Sequence, residues 1–290
     1  MLSQILSKTP APLLFIFSGL TQYVGAAVAV GVFASLSPAA TAWWRFALAG
    51  VVLFLWQRPW QVGYTLTQLR NAIFFGLIMA GMNIVFYEAL ARIDLGVVVS
   101  LEFLGPVAVA ISLNRSQRAR IAAFLALFGV VSISGFALDL SAPEIGLGLF
   151  FSFLAGALWA GYIILGKQVS AQGGLHSLAI GAFAAAIAYA PFGLSSIPTV
   201  FQDGQLFLAL GAVALFSTLI PYSLDQIILR RLDAPTFSLL NALLPASSMV
   251  IGVIVLQQIP TLSGLIGLIL ISISVWLATS SQSSAKPKEI

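Results

Sequence analysis

The sequence has no cysteine and a single histidine, which excludes several kinds of chemistry at once. Without cysteine there are no disulfides and no thiolate metal sites. The lone histidine, His176 in a predicted loop, cannot build a His-based metal site or a catalytic triad. No Walker loop and no aspartate-rich metal-diphosphate motif is present, so ATP does not drive a process from within this chain. The sequence therefore predicts a protein that is not an enzyme and uses no cofactor or metal.

Charged residues are also scarce. They make up 8% of the chain, against roughly 25% in soluble domains, while 60% of the residues are hydrophobic and the mean hydropathy is +1.04. A bilayer core requires about 20 apolar residues per helical span and leaves no backbone group unpaired, so long apolar runs predict helices. The predicted fold class is an all-α polytopic membrane protein with ten transmembrane helices and no soluble domain. The predicted spans are 12–34, 39–56, 71–89, 95–113, 121–138, 145–166, 177–197, 206–224, 235–257 and 261–279.

Lysine and arginine fall almost only on every second segment outside these spans. Arg92 alone lies on the opposite side, and Arg45 lies inside a span. Because cytoplasmic loops retain positive charge during insertion, both termini are predicted to be cytoplasmic. This distribution also explains the pI of about 9.6 without a nucleic-acid partner. A cleaved signal peptide is not expected, since the first apolar run is longer than an h-region. The basic residues on the cytoplasmic side are Lys8, Arg58, Arg70, Arg115, Arg118, Arg120, Lys167, Arg230, Arg231, Lys286 and Lys288.

The chain contains one internal repeat, with corresponding residues 139 positions apart. Leu90, Arg92, Asp94, Glu102 and Pro106 align with Leu229, Arg231, Asp233, Asn241 and Pro245. Five helices per repeat make the two copies enter the membrane in opposite senses, an arrangement typical of secondary transporters with a substrate site near the midplane. The predicted units are a first repeat at 1–140, a second repeat at 141–280, and a polar cytoplasmic tail at 281–290.

Two charged residues are predicted to lie inside the membrane at similar depth, Arg45 in the second span and Glu102 in the fourth. A charge there is expensive and marks a functional candidate. One interpretation is a structural salt bridge between the two helices. The other is a cavity in which the pair meets the charged ends of an amino acid. Glu102 could instead carry a coupling proton, as buried carboxyl groups do in transporters.

Uncharged polar residues form stripes along single helix faces. Asn83 and Tyr87 are four apart, as are Thr218 and Tyr222, and such spacing places side chains on one face. Similar stripes contain Ser18 with Gln22, and Ser238 with Asn241, Pro245 and Ser248. These residues either join helices or line a cavity. Trp159 and Tyr162 are too deep for an interfacial belt and either wall a cavity or pack against a neighbour. The candidate substrate-binding residues are Gln22, Arg45, Asn83, Tyr87, Glu102, Trp159, Tyr162, Tyr222 and Asn241.

Prolines inside predicted spans each remove a helix hydrogen bond. Pro106 and Pro245 occupy matching places in the two repeats and are predicted hinges, whereas Pro191 and Pro221 have no such match. Outside the site, Glu88 and Arg92 are predicted to form a surface pair with Asp94 as a helix cap, and Asp225 to order the loop near Arg230 and Arg231.

These residues also carry a resemblance to a known family. The segments Gly81-Met82-Asn83, Phe86-Tyr87, Leu101-Glu102-Phe103 and Gly105-Pro106 resemble the third and fourth helices of bacterial threonine/homoserine exporters. These exporters belong to the EamA-like branch of the drug/metabolite transporter superfamily. Two departures bear on substrate and ion coupling rather than on fold: the family usually has Glu at Leu244, and commonly Gly-Glu at Gln257-Gln258.

The resemblance and the residue pattern together predict an inner-membrane secondary transporter. It would export a small metabolite, an amino acid of the threonine/homoserine type, by alternating access. Its partners would be the substrate and the lipid bilayer, and proton coupling is one option for driving transport. The alternatives are an exporter of hydrophobic or aromatic compounds, and a non-transporting membrane protein such as a lipid-handling enzyme or a structural subunit. The resemblance to bacterial exporters implies a multi-pass protein of the bacterial inner (plasma) membrane.

Overall fold

The computed structural model describes residues 9–113, 117–137, 142–232, 234, 237, 240–241 and 243–280. Several residues named in the sequence analysis lie outside this part: Lys8, Arg115, Asp233, Ser238 and the tail at 281–290. In the described residues every regular element is helical, and no strand occurs. This agrees with the predicted all-α class.

The helices are α1 (Ala11–Val32), α2 (Pro38–Gln57), α3 (Leu66–Leu90), α4 (Leu95–Glu102), α5 (Leu104–Leu113), α6 (Gln117–Ala137), α7 (Pro143–Gln172), α8 (Leu175–Ala188), α9 (Ile197–Gln202), α10 (Gly204–Ala214), α11 (Ile220–Arg231), α12 (Leu243–Ile254) and α13 (Leu262–Ser280). A π-helical segment at Leu215–Leu219 joins α10 to α11. Short 3₁₀ turns occur at Pro59–Gln61, Ala190–Phe192 and Leu194–Ser196.

Local sequence signals set several helix ends. Ser37 caps α2 by accepting a hydrogen bond from the Ala40 N–H, and Pro38 occupies the first helical position. Thr65 and Gln68 form a capping box at the start of α3. At the carboxyl end of α11, the Lys167 ammonium group donates to the Leu229 and Leu232 carbonyls at 2.9 and 2.7 Å and so caps the helix.

Five of the described helical stretches are long and apolar enough to cross a membrane, Leu13–Val32, Pro38–Gln61, Leu66–Leu90, Pro143–Gln172 and Gly204–Arg231. Large apolar side chains cover much of the outer surface, among them Leu208, Ile254 and Phe128, as contact with lipid requires. Several predicted span limits differ from the helix ends. In the seventh predicted span, α8 ends at Ala188, so Pro191 lies in a 3₁₀ turn and not within an α-helix. The helix of the third span begins earlier, at Leu66, and the helices of the sixth and eighth spans end later, at Gln172 and Arg231. In the ninth span, α12 stops at Ile254.

The helices form a core in which α1 and α7 are central. The α1 helix packs on α10, α11 and α12, and α7 packs on α3, α4 and α5. Around them α2 contacts α8 and α10, α3 contacts α8, and α6 packs along α13. The two central helices therefore bring together elements from both ends of the chain.

Candidate functional site

A small cavity lies between helices of both halves of the chain. Its volume is about 20 Å³, which is enough for roughly one water molecule and not for an amino acid. It is lined from α1, α3, α4, α7, α11 and the ninth predicted span. The lining residues are Phe15, Ser18, Gln22, Met82, Glu102, Trp159, Tyr162, Tyr222, Asp225, Asn241 and Leu244.

The structure brings six of the nine predicted substrate-binding residues to this cavity: Gln22, Glu102, Trp159, Tyr162, Tyr222 and Asn241. The remaining three, Arg45, Asn83 and Tyr87, are buried beside it and do not line it. Trp159 and Tyr162 line the cavity and also pack against Phe103 and Tyr222 respectively, so both arrangements considered for them occur.

Arg45 is 1% exposed and is bound to the π-helical segment. Its Nε donates to Thr218 Oγ1 at 2.8 Å, and its Nη2 donates to the Ser217 carbonyl. That carbonyl lies four residues before Pro221, which has no N–H to offer it. The guanidinium group also lies 5.1 Å from the ring centroid of Tyr87, a favourable cation–π contact. Arg45 therefore stabilises the helix interruption between α10 and α11.

The predicted salt bridge between Arg45 and Glu102 is not formed. Ion pairs within 4.0 Å in the described residues involve Arg92 with Glu88 and with Glu144. Arg45 and Glu102 interact electrostatically, but the guanidinium donors are directed to Ser217 and Thr218. The Ser217 carbonyl, which Pro221 deprives of its i+4 donor, lies next to Arg45, and the sequence alone does not reveal that proximity.

Asn83 supports the cavity wall from behind. Its Nδ2 donates to the Tyr222 hydroxyl at 2.5 Å and to the Met79 carbonyl at 2.6 Å. This links α3 to α11 and fixes the orientation of Tyr222, whose ring faces the cavity. Tyr87 is fully buried against the Arg45 guanidinium group, and its hydroxyl has no partner in the described part of the chain.

Helices break at both residues that the repeat places four before a proline. The α4 helix ends at Glu102 and α5 begins at Leu104, before Pro106; Asn241 lies in a turn, and α12 begins at Leu243. A proline at position i removes the donor for the carbonyl at i−4, here that of Glu102 or Asn241. Both breaks open onto the cavity, so the polar side chains at them are directed inward.

Close helix contact covers the first break. A Cβ on Gly156 of α7 would lie 2.8 Å from the Glu102 carbonyl oxygen, and one on Gly105 would collide with the Gly156 carbonyl. Only glycine permits this approach of α5 to α7. Gly105, which belongs to the motif that resembles the exporters, and Gly156 thus permit the helix contact that positions Glu102.

Asp225 is the charged lining residue that the sequence analysis placed elsewhere; Phe15, Ser18, Met82 and Leu244 also line the cavity and were not among the candidate site residues. It was expected to order a loop with Arg230 and Arg231, but its Oδ2 accepts a hydrogen bond from the Tyr162 hydroxyl at 3.0 Å, and it lines the cavity. The predicted eighth span ends at 224, which places Asp225 in a loop, whereas α11 continues to Arg231. The available signal was spacing: Asp225 is three residues after Tyr222 and hence on its face.

The charged residues at the carboxyl end of α3 form the predicted pair. Arg92 forms ion pairs with Glu88 at 2.6 Å and with Glu144 at 2.9 Å. Asp94 precedes α4 but makes no side-chain cap there; the Leu95 N–H donates instead to Gln258 Oε1 at 3.1 Å. Gln258, one of the departures from the family pattern, thus has a structural role as a helix cap.

Comparison with known proteins identifies the family. The threonine/homoserine exporter RhtA of Salmonella typhimurium (strain LT2) is 34% identical over 242 residues, covering 83% of this chain and 81% of the relative. RhtA of Escherichia coli (strain K12) is 32% identical over 268 residues, covering 92% and 90%. Residues 146–280 match the EamA-like transporter family. The chain belongs to the EamA-like transporter family. A solved crystal structure at 21% identity shares the fold, with a TM-score of 0.63 over 93% of this chain and 98% of that chain.

Membership in the EamA-like transporter family confirms the resemblance seen in the third and fourth helices. The protein is a multi-pass membrane transporter and not an enzyme, so the lipid-handling enzyme and the structural subunit are excluded as alternatives. The cavity is accordingly the candidate site for a transported small molecule.

Proposed function

We propose that this EamA-like transporter exports a small polar metabolite, an amino acid of the threonine/homoserine type, across the bacterial inner membrane. Two relatives named threonine/homoserine exporters share about a third of its residues over most of its length. The observation that carries the proposal is the cavity, because acidic, amide and hydroxyl side chains converge there among aromatic walls. Small-molecule sites combine apolar walls with a few placed polar groups in this way.

The transport cycle follows alternating access between two inverted five-helix repeats, 1–140 and 141–280, in a ten-span protein with both termini cytoplasmic. Two observations support this arrangement. The first break lies directly after Glu102, and the turn at Asn241 lies 139 residues later. Helix packing also repeats: α1 packs on α11 and α12 as α7 packs on α3 and on α4 with α5.

The present conformation is closed around the cavity. A space of about 20 Å³ cannot hold an amino acid, so substrate entry requires the surrounding helices to separate. Pro106 and Pro245 lie just after the two breaks, where the backbone has lost a ladder bond and bends at lowest cost. We assign the two prolines as the hinges of this movement.

Counterflow tests the function directly. Purified protein in liposomes preloaded with unlabelled threonine should accumulate external labelled threonine above protein-free liposomes, and homoserine should compete. Ser18→Leu, which places a larger side chain in the cavity, should abolish the accumulation of labelled threonine. Ser35→Leu, at an exposed position outside the cavity, should not. Absence of counterflow with threonine, homoserine and a panel of amino acids would refute the amino-acid assignment. Transport of aromatic compounds in their place would support the alternative substrate class, to which the rings of Phe15, Trp159 and Tyr222 are suited.

A further inference from the structure

The cavity contains two acidic side chains and no basic one. Glu102 reaches it from the end of α4 and Asp225 from α11, and none of its described lining residues is Lys, Arg or His. Neither carboxyl group takes part in an ion pair within the described part of the chain. Acidic groups removed from water require a compensating positive charge or proton. The described lining therefore offers no basic side chain to compensate the two carboxyl groups.

The basic residues nearest in the fold are engaged elsewhere. The guanidinium group of Arg45 donates to Thr218 and to the Ser217 carbonyl, and the Lys167 ammonium group donates to two carbonyls at the end of α11. Moving either would leave buried backbone acceptors unpaired, which costs free energy. The compensating charge is then either a proton on the carboxyl group or a positive charge that the ligand brings.

Asp225 is better suited than Glu102 to receive that charge. The Glu102 carboxyl group is attracted electrostatically by the Arg45 guanidinium group. Asp225 instead has the neutral Tyr162 hydroxyl as its hydrogen-bond partner. The Tyr162 bond fixes the carboxylate at the cavity wall. The aromatic rings of Trp159, Tyr162 and Tyr222 line the same space, and ring faces attract ammonium groups.

A second, independent feature points to a ligand. Asn241 is 1% exposed and lines the cavity, and its Nδ2 has no acceptor in the described part of the chain. A buried amide donor left unpaired costs free energy that a bound acceptor would recover. A carboxylate oxygen is such an acceptor, so the cavity presents an acid for a cation and an amide for an anion.

We propose that Asp225, oriented by Tyr162, binds the ammonium group of the substrate, and that the Asn241 amide binds its carboxylate. The inference rests on the proposed amino-acid transport and names the groups that hold each end of the molecule. It also replaces Arg45 in the role of carboxylate partner, because the Arg45 donors are used within the protein. Arg45 is a positioning residue that shapes the helix carrying Tyr222 and Asp225.

Ligand-induced stabilisation of the purified protein tests this without requiring transport. Three probes are compared by melting temperature: L-threonine, threonine methyl ester, which keeps the ammonium group, and N-acetyl-threonine, which lacks it. We expect threonine and the ester to stabilise the wild type and N-acetyl-threonine not to. Asp225→Asn should raise the threonine concentration needed for a given shift by about tenfold or more, while Asp225→Glu should recover part of it. Glu144→Gln, an acid exposed outside the cavity, is the matched control and should behave as wild type.

Each outcome decides the inference. Equal stabilisation by N-acetyl-threonine and threonine, or unchanged binding in Asp225→Asn, overturns it, and so does a wild type that none of the probes stabilises. If Asp225→Asn does not fold, the comparison of probes on the wild type still decides. Stabilisation by the ester that depends on Asp225, in a protein that shows no threonine counterflow, would keep the cation site and refute the proposed function.

Discussion

Arg45 donates a hydrogen bond to the carbonyl of Ser217, the one that Pro221 leaves without its usual helix donor. The two bonded residues are 172 positions apart, and their contact ties α2 to the π-helical segment before α11. A π segment adds a residue to the turn and rotates the next part of the helix about its axis. Thr218 consequently faces Arg45, while Tyr222 and Asp225 face the cavity. The predicted common face of Thr218 and Tyr222 is divided by this interruption.

The first prediction concerns this contact. Arg45→Ala and Thr218→Val should each lower the melting temperature in detergent, because a hydrogen bond to a charged group contributes about 1.5–3 kcal/mol. Their effects should be clearly non-additive, since both remove the same bond at 2.8 Å. The interaction free energy between Arg45→Ala and Glu102→Gln should be smaller than that between Arg45→Ala and Thr218→Val. A stronger coupling to Glu102 than to Thr218 would contradict the contacts described.

The second prediction concerns the close approach of α5 and α7. Gly156→Ala should destabilise the protein by about 1–3 kcal/mol, because the new methyl group would lie 2.8 Å from the Glu102 carbonyl oxygen. Gly146→Ala on the same helix meets nothing within 4 Å and is the matched control. Thermal melting of both variants gives the comparison, and equal stability of the two would argue against the tight packing.

The third prediction concerns topology. Reporter fusions after Arg120 and after Lys288 should report a cytoplasmic location, and a fusion between Asp139 and Glu144 a periplasmic one. The reason is the retention of basic loops on the cytoplasmic side. A periplasmic carboxyl terminus would imply an odd number of spans and would remove the basis for inverted repeats.

The fourth prediction concerns energy coupling. Glu102 and Asp225 are the two carboxyl groups of the cavity, and neither has an ion-pair partner in the described residues. Because we assign Asp225 to the substrate ammonium group, any proton coupling should pass through Glu102. Glu102→Gln keeps the shape but cannot ionise. It should abolish accumulation driven by an imposed pH difference while threonine counterflow continues, because exchange moves no net proton. Liposomes of this variant that still concentrate substrate against its gradient would show that the assignment is wrong.

The sequence alone was sufficient for the membrane class, the family and most of the cavity. Apolar runs specify helices because lipid offers the backbone no hydrogen-bond partners. Polar residues at helical spacing then specified inward faces, which located Gln22, Glu102, Tyr222 and Asn241. These inferences depend on local periodicity and on a chain apolar enough to be surrounded by lipid. Both properties can be read directly from the residue order.

The partners of the charged groups were decided by the tertiary structure. Equal depth suggested that Arg45 would meet Glu102, but depth does not fix the rotation of a helix about its axis. Asp225 was placed in a loop, because the end of an apolar run does not mark where a helix with a π segment ends. Pro221 marks the Ser217 carbonyl as an acceptor in the sequence, but which donor reaches that carbonyl depends on the rotation and position of another helix. Those are set only by the packing of the whole bundle.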